Sequence, residues 1–571
     1  MTHTAAERGM APPASPEPTV EHGLVAPRPR PAIVAALALA ALLLAVHVGL
    51  AWRLRPLWID VGDDATYVLL GRSLRSLAYR SIYLAGAPQH VQYPPGFPAL
   101  LATIGAVLGE RVAAFAAVQS LLSAAAVALV FDAARRRWSL QLALLLLAAC
   151  AVNPLLVTSA PLLLSETPFL ALCALSLWAT ARDGPSPRWL VLAVAAAIAA
   201  ALTRTAGVAL VVALLLTWCS ERRWRAALVL LAAAVVVLGG WFVWTALAPR
   251  DALHYSYGAD LARGYGGAPI PSTGVAAPAA APAGALAGAM RGVLGRVVRY
   301  LTQIVPFWLP VPTLARTRVD NVAWLGVIVG FGAAGVWALW RRWRAAALFL
   351  ACYAAVLAAW PWALDRLLTP ALPFVLLALL AGIRLAAARW PGVLLERVVP
   401  VAFVGCLVAT AATRDATLLR QRQRCLAAEA PSARGCLDPK RRSVFDAADY
   451  VRDHTSAGDT VLVFYGAGFY ARAARVTLPI GVIAADADPR SGPRLAAGKY
   501  VLLTLTSWDE RARTAAMRSH CDRLTLERIV PPAAMVLRTV DPATNPDSGR
   551  ATCAALDQFL SAPWSDDANA P

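Results

Sequence analysis

Apolar stretches of 16–23 residues recur along this chain, separated by short polar, often basic, connections. That spacing matches the thickness of a bilayer. Eleven runs are predicted to be membrane-crossing helices: 31–52, 112–133, 139–156, 161–181, 189–204, 205–220, 226–248, 321–340, 345–361, 368–388 and 394–412. Several lie near the short limit for crossing. A further apolar stretch, 97–108, is too short and reads as a re-entrant or interfacial helix; counting it as a span would break the charge pattern that follows.

The connections give direction. Arg135-Arg136-Arg137, Arg222-Arg223-Trp224-Arg225 and Arg341-Arg342-Trp343-Arg344 are expected on the cytoplasmic side, together with Arg28 and Arg30. The N-terminus is therefore cytoplasmic, and an odd number of spans places the C-terminus outside. Residues 1–30, rich in Pro, Glu and Ala, are expected to be a disordered cytoplasmic segment. No small-residue cleavage site follows the first apolar run, which reads as a retained signal-anchor. Residues 31–412 then form a transmembrane domain with two large outer loops, 53–111 and 249–320, and 413–571 form an extracytoplasmic domain.

In the first loop, Tyr67, Leu70, Leu74 and Leu77 fall on one helical face and Arg72, Ser73, Arg75 and Ser76 on the other. This predicts a helix lying on the membrane surface, with Asp63 and Asp64 at its start. The second loop begins His254-Tyr255-Ser256-Tyr257, where the aromatic residues read as interface anchors. Its 268–289 stretch is rich in Ala, Pro and Gly and reads as a mobile segment able to close over a substrate. The C-terminal region carries a helical pattern at Ser443–His454 and strand-like runs at Thr460–Tyr465, Tyr500–Leu505 and Ala534–Val540, a small α/β domain. There is no internal repeat.

Composition agrees. The 571 residues are 58% hydrophobic, which excludes a soluble enzyme. The formal charge of +19 follows from the basic connections and implies attraction to anionic lipids. Nucleic-acid binding is the poorer reading, since the basic residues sit in short loops between spans. Abundant Ala and Arg fit a GC-rich bacterial genome, hence a multi-pass protein of the bacterial inner membrane. Cys150, Cys173, Cys219, Cys352 and Cys406 fall in apolar runs and behave as small hydrophobes. Cys425, Cys436, Cys521 and Cys553 lie in the polar C-terminal region, where an oxidising compartment would pair them. Of three pairings, proximity favours Cys425–Cys436 with Cys521–Cys553. No metal-ligand cluster is apparent.

Candidate chemistry collects at the predicted outer ends. Asp63, Asp64 and Tyr67 come first, followed by His90-Val91-Gln92-Tyr93-Pro94-Pro95-Gly96-Phe97-Pro98. Asn153-Pro154 and Ser165-Glu166-Thr167-Pro168 bracket the third and fourth spans, Thr203-Arg204 follows the fifth, and Asp365-Arg366-Leu367-Leu368-Thr369-Pro370 precedes the tenth. In this order and spacing, residues 31–390 resemble the GT-C superfamily of membrane glycosyltransferases, particularly the protein O-mannosyltransferase-like branch (glycosyltransferase family 39) and the aminoarabinose transferases that modify lipid A. The resemblance implies a polyprenyl-phosphate-linked sugar as donor substrate, no other cofactor, and transfer to an envelope acceptor (lipid, glycan or protein) on the outer face. The family motif in the first loop is usually Asp-Glu; here it is Asp63-Asp64, so which carboxylate reaches the acceptor stays open.

The chemistry asks for the same groups. An attacking hydroxyl must lose a proton, which suits a carboxylate. A departing phosphate needs positive charge, which suits arginine. Asp63 and Asp64 are the catalytic candidates, with Asp63 the preferred base. Arg204 and Arg366 are candidates for the lipid phosphate, and Glu166, Tyr67, His90 and Tyr93 for the rest of the substrate site. Each also has a plainer reading. The aspartates and Glu166 suit helix starts, the arginines could snorkel, Asp365 could pair with Arg366, and His90 and Tyr93 could be loop residues. Gly466-Ala467-Gly468 reads as a turn. Two other classes compete with the transferase. A transporter or flippase of lipid-linked substrates would place its ionisable groups near the midplane and show repeat halves. A membrane-anchored assembly protein would not need the acidic pair.

Overall fold

A computed structural model describes residues 30–60, 62–182, 186–249, 285–309, 318–360, 363–389, 393–428, 434–480, 495–506, 510–511, 514–515, 517–543 and 546–561. Residues 1–29, His254, Tyr255, Tyr257 and most of the 268–289 stretch lie outside the described residues.

Every predicted span coincides with helix. Helix α1 (Arg30–Arg53) is followed by α2 (Asp63–Arg75), α3 (Gly96–Leu108), α4 (Val112–Arg137), α5 (Leu140–Ala151), α6 (Pro154–Ser159), α7 (Glu166–Thr180), α8 (Pro187–Thr203), α9 (Val208–Ser220) and α10 (Trp224–Leu247). Then come α11 (Ala285–Arg299), α12 (Arg318–Arg342), α13 (Arg344–Ala359), α14 (Leu372–Ala387) and α15 (Val393–Ala428). Helices α1, α4, α10, α12 and α15 each contain a stretch long and apolar enough to cross a membrane alone. The shorter α5, α7, α8, α9, α13 and α14 pack among them, burying Leu146, Phe169, Trp218, Phe349, Tyr353 and Phe374. In lipid, such association depends on close packing of small residues. Accordingly α12 and α14 meet at Gly335 and Gly382, where an added Cβ would overlap the facing backbone. His47 of α1 is buried but satisfied, its ring nitrogens lying 3.1 Å from Ala151 O and 2.9 Å from Ser123 Oγ.

Four expectations are corrected in detail. The 139–156 run breaks after α5, because Asn153 turns its side chain onto the Leu155 and Leu156 N–H groups and caps α6, with Pro154 in the first turn. The 161–181 run becomes helical only at Glu166; the carbonyls of Leu162 and Leu164 each accept from Gln119 Nε2 at 2.9 Å. Leu77 is not on the buried face of α2. The helix ends at Arg75, and Leu77 sits at φ 56° with its side chain 99% exposed. Finally, the end of the second loop is ordered. Helix α11 continues through a π turn, Tyr300–Ile304, to Trp308. Its Arg296 Nε donates to Ala358 O (2.8 Å), and Met290, Leu294 and Val298 form an outward apolar stripe.

Beyond the bundle, α15 leads through the Cys425–Cys436 disulfide into α16 (Pro439–His454), capped by Asp438. A sheet follows, with β1 (Val461–Val463), α17 (Gly466–Ala473), β2 (Thr477–Pro479), β3 (Tyr500–Thr504), β4 (Leu524–Val530), β5 (Ala534–Thr539) and α18 (Pro546–Ser561). Strand order is β2-β1-β3-β5-β4, parallel across the first three and antiparallel across the last three. Cys521 pairs with Cys553, tying α18 to the turn before β4.

This domain sits on the first outer loop. Thr477 of β2 donates its N–H to Tyr83 O (2.9 Å) and accepts from Ala85 N–H (3.0 Å), so the loop extends the sheet edge. Ala467 of α17 packs on Ala65 and Leu69 of α2. Arg441 pairs with Asp60 at 2.5 Å. Helix α2 is thereby held between the bundle below and the sheet above.

Candidate active site

Helix α2 rests on α3, with Tyr67 and Leu70 packed against Phe97, Leu101 and Ile104. Glu110, after α3, takes both Arg72 (2.7 Å) and Arg75. These ion pairs hold the C-terminal turn of α2, and Asp63 projects from its other end. The His90–Pro98 segment comes alongside. His90 is buried; its Nε2 accepts from Tyr93 N–H at 3.0 Å and its Nδ1 lies 3.0 Å from Ser81 Oγ. Gly96, at the head of α3, lies against the end of α8. A Cβ there would stand 2.7 Å from Leu202 O and 2.9 Å from Thr203 N. Only glycine permits that approach, which sets Arg204 in place.

The loop carrying Arg366 is braced separately. Asp365 Oδ2 accepts the Trp308 indole N–H (2.8 Å), and Asn153 Nδ2 donates to Trp308 O (2.9 Å). Tyr353 donates to Leu367 O (2.8 Å), and Thr369 Oγ1 donates to Ser159 Oγ (3.2 Å). Asp365 therefore acts through the indole.

These elements converge on one chain of charges. Arg366 Nη2 donates to Asp63 Oδ2 at 2.6 Å, and Tyr93 OH donates to Asp63 Oδ1 at 2.8 Å. Arg366 Nε lies 3.6 Å from Glu166 Oε1, which is 2.9 Å from Arg204 Nη1. Arg204 also donates to Ser165 Oγ (2.9 Å), itself 3.2 Å from Tyr67 OH. Glu166 is 2% exposed; despite its two ion pairs, neither carboxylate oxygen accepts a well-aligned hydrogen bond among the described residues. Burial alone would raise the Asp63 carboxyl, but Arg366, with help from Tyr93 and Arg204, holds it below the ordinary carboxylate range. Burial pushes the Tyr67 phenol up, and the Asp63 charge adds to this, so Tyr67 stays a neutral hydroxyl.

The charges line a cavity of about 430 Å³. Asp63, Tyr67, Tyr93, Glu166, Arg204 and Arg366 face it, and Val356, Leu357, Trp360 and Leu364 make an apolar wall. Two sequence candidates do not reach it. Asp64 turns away to accept the Asp60 N–H at 2.6 Å. Its carboxyl is pushed up to about 6 by burial and by the charges of Asp60 and Asp63. His90, with both ring nitrogens engaged, orients Tyr93 and is not among the lining residues. Sequence reasoning missed Tyr465, which comes from the turn between β1 and α17 and lines the cavity from the C-terminal domain. Gly466-Ala467-Gly468, expected as a turn, instead opens helix α17 directly after Tyr465. Trp360 also lines the cavity. Among the described residues, no group of three or more His, Cys, Asp or Glu could hold a metal.

The fold is that of a multi-pass helical bundle of GT-C type carrying a small C-terminal α/β domain. The family described as dolichyl-phosphate-mannose-protein mannosyltransferase matches residues 92–244. Among solved structures, ArnT from Cupriavidus metallidurans in the apo state superposes with a TM-score of 0.52 at 13% identity, over 88% of this chain and 98% of that one. The same protein bound to undecaprenyl phosphate gives 0.50 at 14% identity, over 89% and 98%. The archaeal oligosaccharyltransferase AglB from Archaeoglobus fulgidus, in complex with an inhibitory peptide and a dolichol-phosphate, gives 0.50 at 13% identity, over 87% and 73%. No curated protein sequence matches the chain. The resemblance read from the motifs is thus borne out in the fold and in the family match over residues 92–244.

Proposed function

We propose that this protein transfers a sugar from a polyprenyl-phosphate carrier to a hydroxyl of a cell-envelope acceptor, on the outer face of a bacterial inner membrane. One observation carries the reading: the Asp63–Arg366–Glu166–Arg204 charge chain lines a cavity that is also lined by the apolar Val356, Leu357, Trp360 and Leu364. A sugar phosphate on a hydrocarbon tail has that same polarity. The ArnT structure with undecaprenyl phosphate and the AglB structure with dolichol-phosphate support a lipid-phosphate carrier.

In this reading Arg366 and Arg204 bind the carrier phosphate and stabilise it as it leaves. Asp63 accepts the proton of the acceptor hydroxyl. That oxygen attacks the anomeric carbon as the carbon–phosphate oxygen bond breaks, and polyprenyl phosphate departs with the bonding electrons. A single displacement inverts the anomeric centre. Glu166 fixes the spacing of the two arginines and offers free acceptor capacity to sugar hydroxyls.

The Asp63–Arg366 pair gives the base a trigger. While Arg366 holds Asp63, the carboxylate is a weak base. A bound phosphate competes for the same guanidinium, and as Arg366 turns to it Asp63 becomes more basic. Proton acceptance is thereby coupled to donor occupancy. The chemistry needs no nucleotide and no further cofactor.

The test uses purified protein in lipid nanodiscs, a panel of polyprenyl-phosphate sugars, and measurement of polyprenyl phosphate released and of the product's anomeric configuration. Release that depends on one sugar, with inversion, is the expected result. Retention at the anomeric carbon overturns the single displacement, and failure of every donor to bind overturns the lipid-phosphate reading.

A further inference from the structure

A second cavity, of about 200 Å³, lies at the other ends of the helices that carry the candidate site. Helix α7 runs from Glu166 at the site to Thr180 at this cavity, and α9 begins near Arg204 and ends beside it at Ser220. Helix α13 runs the opposite way, from Arg344 here to the apolar wall at Val356 and Leu357. The 15 residues of α7 make the separation about 22 Å.

Among the described residues, the wall of this cavity carries five guanidinium groups, Arg137, Arg223, Arg341, Arg342 and Arg344, and one carboxylate, Glu221. Glu221 is 3.8 Å from Arg223, leaving a large positive excess. The plainer reading is that topology alone places arginines at these helix ends and water solvates them. Three features go beyond that. The arginines surround a concavity between α4, α9, α12 and α13. Arg137 and Arg342 are locked across it, each donating to the other's carbonyl at 3.4 and 3.3 Å. Arg344 is anchored by Ser220 Oγ at 3.1 Å, while its Nε is buried without a hydrogen-bond acceptor among the described residues. Like charges around a small volume repel one another, and a buried donor lacking an acceptor is unfavourable. A polyanionic group offsets both.

We propose that this pocket binds a phosphate group, with Arg341 and Arg344 as principal ligands. Forked guanidiniums match phosphate oxygens in pairs. Two sources share this chemistry: the headgroup of an anionic phospholipid and soluble phosphate.

The experiment uses full-length, delipidated protein in neutral detergent. Phosphatidylglycerol, cardiolipin, phosphatidylethanolamine or inorganic phosphate is added, and bound species are counted by native mass spectrometry alongside thermal unfolding. Anionic ligands are expected to bind and to raise the unfolding temperature, whereas phosphatidylethanolamine does neither. Protection by the lipids alone assigns the headgroup; equal protection by inorganic phosphate assigns the soluble ion. The R341Q/R344Q variant is expected to weaken binding by about tenfold or more. The R341K/R344K variant, which keeps the charge and guards against loss of folding, is expected to bind more weakly than wild type but more tightly than R341Q/R344Q. The charge-matched R222Q/R225Q variant, altered outside the cavity, is expected to bind like wild type. Equal retention of zwitterionic and anionic lipid, unchanged binding in R341Q/R344Q, or equal weakening in R222Q/R225Q overturns the proposal.

Discussion

Replacing Asp63 by Asn probes the site at its centre. The substitution keeps the volume and one acceptor oxygen, but it removes the proton acceptor. It also points an amide N–H₂ at a donor, either Arg366 Nη2 or Tyr93 OH, now 2.6 and 2.8 Å from the carboxylate. A general base contributes about 10²- to 10⁴-fold, or roughly 3–5.5 kcal/mol of barrier. The lost ion pair adds little to stability. Asp63 and Arg366 are 35% and 34% exposed at the cavity, so the pair contributes about 1 kcal/mol or less. Turnover is therefore expected to fall by two to four orders of magnitude while the unfolding temperature moves little. Asp64→Asn is the internal comparison. Asp64 faces the Asp60 N–H, away from the cavity, and an amide oxygen can accept that bond. Its effect on turnover is expected to stay below about tenfold. Both variants are assayed in nanodiscs by release of polyprenyl phosphate under saturating donor, with circular dichroism as the folding control. A larger loss for Asp64→Asn, or more than a tenth of wild-type turnover in Asp63→Asn, would refute the assignment of the base.

Other predictions follow from specific contacts. Gly96→Ala places a methyl against the Leu202–Thr203 backbone; it is expected to displace Arg204 and lower turnover about tenfold or more, while Phe97→Leu should be milder, as kinetics of the pair would reveal. Tyr465→Ala is expected to change the Michaelis constant for acceptor with donor affinity unaltered, because Tyr465 alone among the lining residues comes from the C-terminal domain; equal weakening of both substrates would refute this. Asp64 has a native pKa of about 6 against 3.8, so between these values the folded state binds the extra proton. The contribution of Asp64 to stability is therefore fully present below about pH 4 and is lost as pH rises to about 6, by at most about 3 kcal/mol. Unfolding temperatures across pH 4–7 should show that limb in wild type and lose it in Asp64→Asn. Removing the Cys521–Cys553 bridge, which closes 32 residues, with paired serines is expected to destabilise the C-terminal domain by about 3–4 kcal/mol, measurable by limited proteolysis.

The legible part of this protein was the part set by local periodicity. Long runs of apolar side chains favour helix, so the helices follow from residue order, and two of their boundaries shift where a side chain intervenes. Asn153 caps a new helix inside one run, and Gln119 satisfies the non-helical carbonyls that open another. Neither effect has a periodic signature. The polar motifs were visible for a related reason, since an ionisable residue at the end of an apolar run stands out against its surroundings.

What each motif residue does was decided by contacts between distant segments. Asp63 and Arg366 are 303 residues apart in sequence and 2.6 Å apart in space. Asp63 and Asp64 are neighbours of the same type, yet one enters the cavity and the other is turned to the Asp60 N–H. His90 read as a ligand until Ser81 and the Tyr93 backbone took both its nitrogens. Tyr465 had no chemical context until β2 joined the first outer loop and carried its turn over the site. The chain by itself determined where helices form and which polar groups stand at their ends, because burial and backbone hydrogen bonding act over a few residues. Tertiary structure alone decided which of those groups share a cavity, because ion pairing acts through space and is indifferent to sequence separation.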